Sequence, residues 1–344
     1  MSQFLPPEWA PQSAVMLTWP HKASYWVDTL QAIEAVFTKT AAEIALRQKL
    51  IITCLDEQHI LHVKTQLTKA HVDLTKVSLY MARSDDIWVR DHGPITVLSD
   101  NKPLLLDFTF TGWGYKYPAE NDNRLTEHLK AQNAFGFTPI KKIDMALEGG
   151  GIEVDGQGTL LATRSCLLSK KRNPSMTQGQ IESCLQSSLG VNRILWLDHG
   201  ELEGDDTDGH IDTLARFCDP HTICYVCCTD KNDPHYDTFK AMEDELKSFT
   251  DYKGKPYRLV PLPFPSVHLA DVDGRRLPVS YANFLIINDA ILMPTYNDPF
   301  DDKALAAVAE CFPDREMIAV PSLAVVQWYG STHCMTMQLP RGVF

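Results

Sequence analysis

One order of elements recurs along this chain, and it limits the folds open to it more than any other feature. Gly151-Ile-Glu-Val-Asp-Gly-Gln-Gly-Thr-Leu-Leu-Ala-Thr reads as a strand, a tight Asp-Gly turn and a second strand. A helix-period stretch with Ile181, Leu185 and Leu189 follows, and Arg193-Ile-Leu-Trp-Leu supplies a third strand. The same strand, strand, helix, strand order returns from Ile211 to Leu262, with Tyr236, Phe239, Met242, Leu246 and Phe249 lining its helix. A third copy runs from Asn283 through an Asn-Asp turn to Met317-Ile-Ala-Val, its helix carrying Leu305 and Val308. A looser fourth runs from Pro94 to Ile143, with its helix near Leu125 and Leu129.

The two ends of the chain read as halves of one more copy. Ala14-Val-Met-Leu-Thr, a helix over Leu30, Ile33, Phe37, Ala41 and Ile44, and Leu50-Ile-Ile-Thr-Cys-Leu lack one strand, while Cys334-Met-Thr-Met-Gln-Leu is a strand without a unit. Joined, they give about five modules. The expectation is an α/β ring of repeated units closed by its own termini, one catalytic domain over residues 1–344. Turn-linked strand pairs are antiparallel, which an open, purely parallel sheet would not contain. Val260-Pro-Leu-Pro-Phe-Pro-Ser together with Asp271-Val-Asp-Gly-Arg-Arg reads as one long loop, suited to a lid or a subunit contact.

A net charge of −12 argues against nucleic acid or an anionic membrane as partner and favours a cationic ligand. No apolar run approaches the roughly 18 residues of a membrane span. The start, Met1-Ser-Gln-Phe-Leu-Pro-Pro, lacks the basic and apolar segments of a secretory signal, so a cytoplasmic location is expected. Nine cysteines without a regular framework read as core thiols plus one reactive thiol.

Four polar clusters sit at unit boundaries, where a ring would carry them to its axis. Ser84-Asp-Asp-Ile-Trp-Val-Arg-Asp-His-Gly-Pro reads either as a salt-bridged turn or as part of a site. Leu147-Glu-Gly-Gly-Gly-Ile-Glu sets Glu148 beside backbone that passes close to something, or forms a bulge. In Gly204-Asp-Asp-Thr-Asp-Gly-His-Ile-Asp-Thr, His210 and Asp212 lie two apart at the start of an expected strand, so both face one side. The stretch lacks the spacing of an EF-hand. Gly330-Ser-Thr-His-Cys-Met-Thr-Met carries Cys334, a buried small residue or a nucleophile. Neighbours on a strand face opposite sides, so the remote His210 is a better base for Cys334 than the adjacent His333.

Together these clusters resemble the agmatine deiminase family of the guanidine-modifying superfamily. The likeness covers nearly the whole chain: Trp88-Val-Arg-Asp, the run Leu147 to Thr163 with Cys166-Leu-Leu-Ser-Lys-Lys-Arg-Asn-Pro, Asp206-Thr-Asp-Gly-His-Ile-Asp and Tyr296-Asn-Asp-Pro. It implies a pseudo-fivefold α/β propeller, the pentein fold. It further implies Cys334 as nucleophile, His210 as general acid and base, Glu148 as the group orienting His210, and Asp91 and Asp212 as guanidinium clamps. Trp88 would line the pocket and Asp206 sits where the family often carries an acid; Asp86 binds substrate or braces its loop. No metal and no cofactor is implied, and a homodimer is.

The implied reaction converts agmatine to N-carbamoylputrescine and ammonia, towards putrescine and polyamines. Carboxylates holding the guanidinium in two-pronged bonds would turn its carbon to the sulfur, and a bound cation or a protonated His210 would favour the thiolate. Gly151 and Glu153 stand where many family members carry Ser and His, and Asp208 where Asn is usual. Two alternatives stay open: a deiminase of arginine or peptidyl-arginine, and a non-catalytic module binding cationic amines.

Overall fold

A computed structural model of the chain describes residues 3–24, 27–270 and 273–344. Five sheets form among these residues, and each repeats one pattern: an antiparallel pair, then a parallel neighbour reached through a helix. Ile95–Ser99 pairs antiparallel with Lys102–Thr109, which runs parallel to Ile140–Ala146. Glu153–Val154, Thr159–Thr163 and Arg193–Leu197 repeat this order, as do Ala215–Asp219, Thr222–Cys227 and Arg258–Pro263, and then Leu285–Ile287, Ala290–Thr295 and Glu316–Pro321. The fifth sheet joins the chain ends: Met337–Pro340 pairs antiparallel with Gln12–Thr18, Met337 opposite Met16 and Leu339 opposite Ala14. Gln12–Thr18 is in turn parallel to Lys49–Cys54.

Local chemistry accounts for these elements. The helix Gln178–Leu189 opens on a Thr177/Gln180 capping box and stops at Gly190, whose φ of 72° ends it in the left-handed region. It buries Ile181, Leu185 and Leu189. Leu30–Arg47 buries Ile33, Phe37, Ala41 and Ile44, and Tyr236–Ser248 buries Phe239, Met242 and Leu246. In the hairpin between Val154 and Thr159, Asp155 Oδ1 accepts from the backbone of Gln157 and Thr159, the usual way an aspartate closes a turn.

Several expectations shift. Ile211–Thr213 is a short 3-10 turn and its strand starts only at Ala215. Cys334 lies in a turn, with Met335 N donating to Ser331 O, and the last strand begins at Met337. Val260 to Pro263 belongs to a strand, and of the proposed long loop Asp271 and Val272 fall outside the described residues. The fifth sheet also gains a helix, Glu57–Lys69, and a strand, Val77–Met81, that the sequence did not reveal. That helix buries only Val63 and Leu67 and the strand buries no residue fully, so neither carries a strong apolar period. Among the described residues no helix is long and apolar enough to cross a membrane.

Leu339 is fully buried in the strand that joins the chain ends, within a cluster that includes Ala14, Leu105 and Leu185. Leu339→Ala is expected to cost roughly 2–5 kcal/mol. Urea denaturation should show this as a lower midpoint with an unchanged slope.

Candidate active site

The opening strand of each sheet's antiparallel pair is preceded by a polar residue, and these residues converge. Asp91 precedes Ile95–Ser99, Glu148 precedes Glu153–Val154, and His210 and Asp212 precede Ala215–Asp219. Asn283 precedes Leu285–Ile287 and Cys334 precedes Met337–Pro340. A β-carbon on Gly150 would stand 2.6 Å from His210 Nδ1, 2.9 Å from Asp91 Oδ1 and 3.0 Å from Asp212 Oδ2, so only glycine leaves these three groups room to meet. Gly150 also donates its N–H to Asp91 Oδ1 at 3.0 Å.

Cys334 Sγ donates to Asp212 Oδ2 at 3.5 Å and receives the Asn283 side-chain amide at 3.1 Å. The same Asn283 accepts the backbone N–H groups of His333 and Cys334, so it holds both the sulfur and the turn that carries it. Trp113 Nε1 donates to Asp91 Oδ2 at 3.0 Å from a backbone with φ of 56°, a conformation rare for a bulky residue and kept here by its surroundings. Arg172 Nε reaches both oxygens of Glu148, at 3.0 and 2.8 Å.

His210 is fully buried, 3.7 Å from Asp91 through Nδ1 and 3.9 Å from Glu148 through Nε2. These are ion-pair distances. Neither ring nitrogen has a hydrogen-bond partner among the described residues, and neither does Asp212 Oδ1. Burial pushes the imidazole pKa down, but the charge of Asp91, with help from Cys166 and Glu148, holds it well above its ordinary value, so the ring is cationic at neutral pH. Burial raises the Asp91 pKa to about 6, opposed by His210 and reinforced by Asp212 and Glu148. Burial, then Asp212 and Asp91, pushes the Cys334 thiol well above its usual range. With nothing bound, the sulfur is therefore protonated.

A cavity of about 200 Å³ opens over this cluster, with Cys334 and Asp91 in its wall, Trp88 and Trp113 beside them, and Asp86 and Asp206 further along. Gly330 lets the wall close, because a β-carbon there would lie 2.3 Å from the Trp88 ring. Asp206 accepts from the Tyr117 hydroxyl at 2.9 Å, and burial with the adjacent Asp205 raises its pKa to about 6.

The sequence profile of the Porphyromonas-type peptidyl-arginine deiminase family matches residues 4–340. An agmatine deiminase of Stutzerimonas stutzeri is 33% identical, over 98% of this chain and 95% of its own length. The chain belongs to the agmatine deiminase family. Among solved structures, a "Putative Arginine Deiminase" from Porphyromonas gingivalis is 44% identical with a TM-score of 0.92, covering 99% of both chains. A C. jejuni agmatine deiminase, a Cys-to-Ser variant with substrate bound, is 32% identical with a TM-score of 0.91, over 99% of this chain and 97% of its own.

The residues that the family resemblance singles out fall into two layers. Cys334, Asp91, Trp88, Asp206 and Asp86 face the cavity, while His210, Glu148 and Asp212 lie buried behind it. His210 and Asp212 meet because a 3-10 turn wraps them round Gly150, not because they share a face of a strand. Asn283, Trp113 and Arg172 went unrecognised. The repeat itself pointed to Asn283, since it occupies the one unit boundary that carried no polar cluster in the sequence reading. Arg172 lies inside the motif run already noted.

The three departures from the family pattern lie outside the cavity wall. Glu153 binds Arg216, Gly151 packs on Leu167 and Cys166, and Asp208 pairs with Lys116 and Arg172. Among the described residues two groups have ligand atoms close enough to hold a cation, Glu148 with Cys166 and His210, and Glu8 with Glu153 and His333. Arginine already neutralises both: Arg172 binds Glu148, and Arg216 binds Glu8 and Glu153.

Asp91 has a folded pKa raised above its unfolded value of about 3.9. The stability it contributes is therefore complete below about pH 4 and lost as pH rises through about 6. Asp91→Asn abolishes that titration. Compared with the variant, the wild type should gain roughly 1–2 kcal/mol between pH 7.5 and pH 5, measured by urea denaturation at both values.

Proposed function

We propose that this chain is an agmatine deiminase that hydrolyses agmatine to N-carbamoylputrescine and ammonia, with Cys334 as nucleophile. The observation that carries the reading is the meeting of one thiol, one cationic imidazole and two carboxylates around Gly150, with the acceptor Oδ1 of Asp212 left for a ligand to satisfy. A buried acceptor without a donor is costly, and a guanidinium brings donors in a flat fork that suits carboxylates.

Asp91 and Asp212 grip the guanidinium from the side and turn its carbon towards Cys334 Sγ. The arriving cation offsets the acids that hold the thiol protonated, so substrate helps to ionise its own nucleophile. The thiol gives its proton to solvent, and the thiolate then adds to the guanidinium carbon. His210 donates a proton to the departing nitrogen, the C–N bond breaks, and ammonia leaves a cysteine-bound thiouronium. His210 next takes a proton from water and hydroxide adds to the same carbon; the C–S bond then breaks as the hydroxyl proton passes to the departing sulfur, regenerating the thiol and releasing the ureido product. Glu148, held by Arg172, keeps His210 charged and in place. Asp206 faces the distal amine and Trp88 flanks the alkyl chain; Asp86 braces the cavity's outer wall, its backbone N–H bonded to Asp122.

The reading extends to a pseudo-fivefold propeller over residues 1–344, supported by five sheets of one pattern and by a site residue at each unit boundary. It also includes a homodimer and a cytoplasmic setting, the latter supported by nine free thiols.

A second reading, deimination of arginine or peptidyl-arginine, draws on Arg275. This residue lines the cavity beside Asp206, its guanidinium 4.8 Å over the Tyr329 ring, where a substrate carboxylate could meet it. Ammonia release from agmatine, arginine and an arginine peptide decides between them. Agmatine should give the highest kcat/KM, and Cys334→Ser should lower it at least ~10³-fold. Faster turnover of arginine would favour the second reading, and binding without ammonia in the wild type would leave a binding module.

A further inference from the structure

Beneath the site lies a buried charged cluster that the mechanism above does not use. Glu8, from the segment before the first sheet, reaches inward and accepts from Arg216 at 2.6 Å, Gln338 at 2.9 Å and Arg90 at 3.2 Å. His333 Nε2 lies 2.8 Å from Glu8 Oε1 and 3.1 Å from Arg216 Nη2. The other nitrogen, Nδ1, donates to Asp212 Oδ2 at 2.7 Å. His333 is fully buried, and the charged groups facing it are Asp212, Glu8, Arg216 and Arg90.

We propose that Glu8 and His333 form a positioning pair, in which the imidazole, braced from behind by Glu8 through Arg216, ties down Asp212 Oδ2 and leaves Oδ1 aimed at the bound guanidinium. The inference rests on the deiminase reading of the site and deepens it.

Asp212 Oδ2 is engaged by both His333 and Cys334, whereas Oδ1 has no hydrogen-bond partner among the described residues. A carboxylate free to rotate about its last bond would present either oxygen. Fixing one oxygen removes that freedom before substrate arrives, which is how an ordered clamp gains affinity. Burial opposes the charge on Asp212, yet the hydrogen bond from His333, with the nearby charges of His210 and Arg216, holds its pKa below the ordinary value, so the clamp stays anionic; burial, Arg216 and Arg90 push the pKa of His333 itself down. Glu8 ties this arrangement to the chain's first segment, far from Cys334 in sequence. His333 thus acts through Asp212 and is a positioning residue, although it adjoins the nucleophile.

The test uses agmatine binding to full-length protein carrying Cys334→Ser, measured by calorimetry with a melting curve for each variant. His333→Asn keeps a donor at the Nδ1 position, and its Kd should stay within about threefold of the parent. His333→Gln moves the amide towards Glu8 and away from Asp212, and should weaken Kd roughly tenfold to a hundredfold. Glu8→Gln, of nearly the same shape, should weaken it roughly threefold or more while remaining folded. Equal Kd in the Asn and Gln variants, or an unchanged Kd in Glu8→Gln, would overturn the pair and leave the deiminase reading standing. A purely structural role would lower melting temperatures alike and leave affinity unmoved, and so would also overturn it. Should the parent bind no agmatine at all, the reading of the site fails, and this inference with it.

Discussion

Asp91, Glu148 and Asp212 are buried around one imidazole, and keeping three carboxylates together away from water is the constraint on which the rest of the site depends. Such a cluster stands only if cations compensate it. Three do so: His210 at the centre, Arg172 on Glu148, and Arg216 within the cluster behind Asp212. The compensation is incomplete, as the raised pKa of Asp91 records. A cationic substrate would supply the remainder. On the proposed reading, a site left electrostatically unfinished until a guanidinium enters would select for charge before it selects for shape.

The same incompleteness governs the proposed nucleophile. Cys334 is held as a thiol by burial and by the very acids that would bind substrate. Its reactivity would therefore be conditional on a bound cation, since a protonated, buried thiol is slow to be alkylated or oxidised. Asn283 supplies the counterweight, since its amide donates to the sulfur and eases the thiolate once the acids are engaged.

Much of this was legible in the sequence, because repeats expose unit boundaries and unit boundaries carry the site. Helix faces such as Ile181, Leu185 and Leu189, and turns such as the one at Asp155, follow periodicity and turn chemistry that need no tertiary context. What escaped depends on context. Glu57–Lys69 and Val77–Met81 are half exposed and carry weak periods. The strand expected at Cys334 yielded to a turn held by Asn283, so the argument that adjacent residues face opposite ways did not apply to His333. Asp91, Glu148, His210, Asp212 and Cys334, each within a motif visible in the sequence, lie together in the structure, while Asn283, Trp113 and Arg172 are tied to them only through partners remote in the chain.

The account stands on a carbon–sulfur bond forming at Cys334 while two acids hold a guanidinium. The direct measurement is mass spectrometry of wild-type protein mixed with agmatine and quenched in acid during turnover. The Cys334 peptide should carry the mass of agmatine less ammonia, and the adduct should disappear as substrate is exhausted. Turnover with that peptide always unmodified, or with the adduct on another residue, would contradict the account.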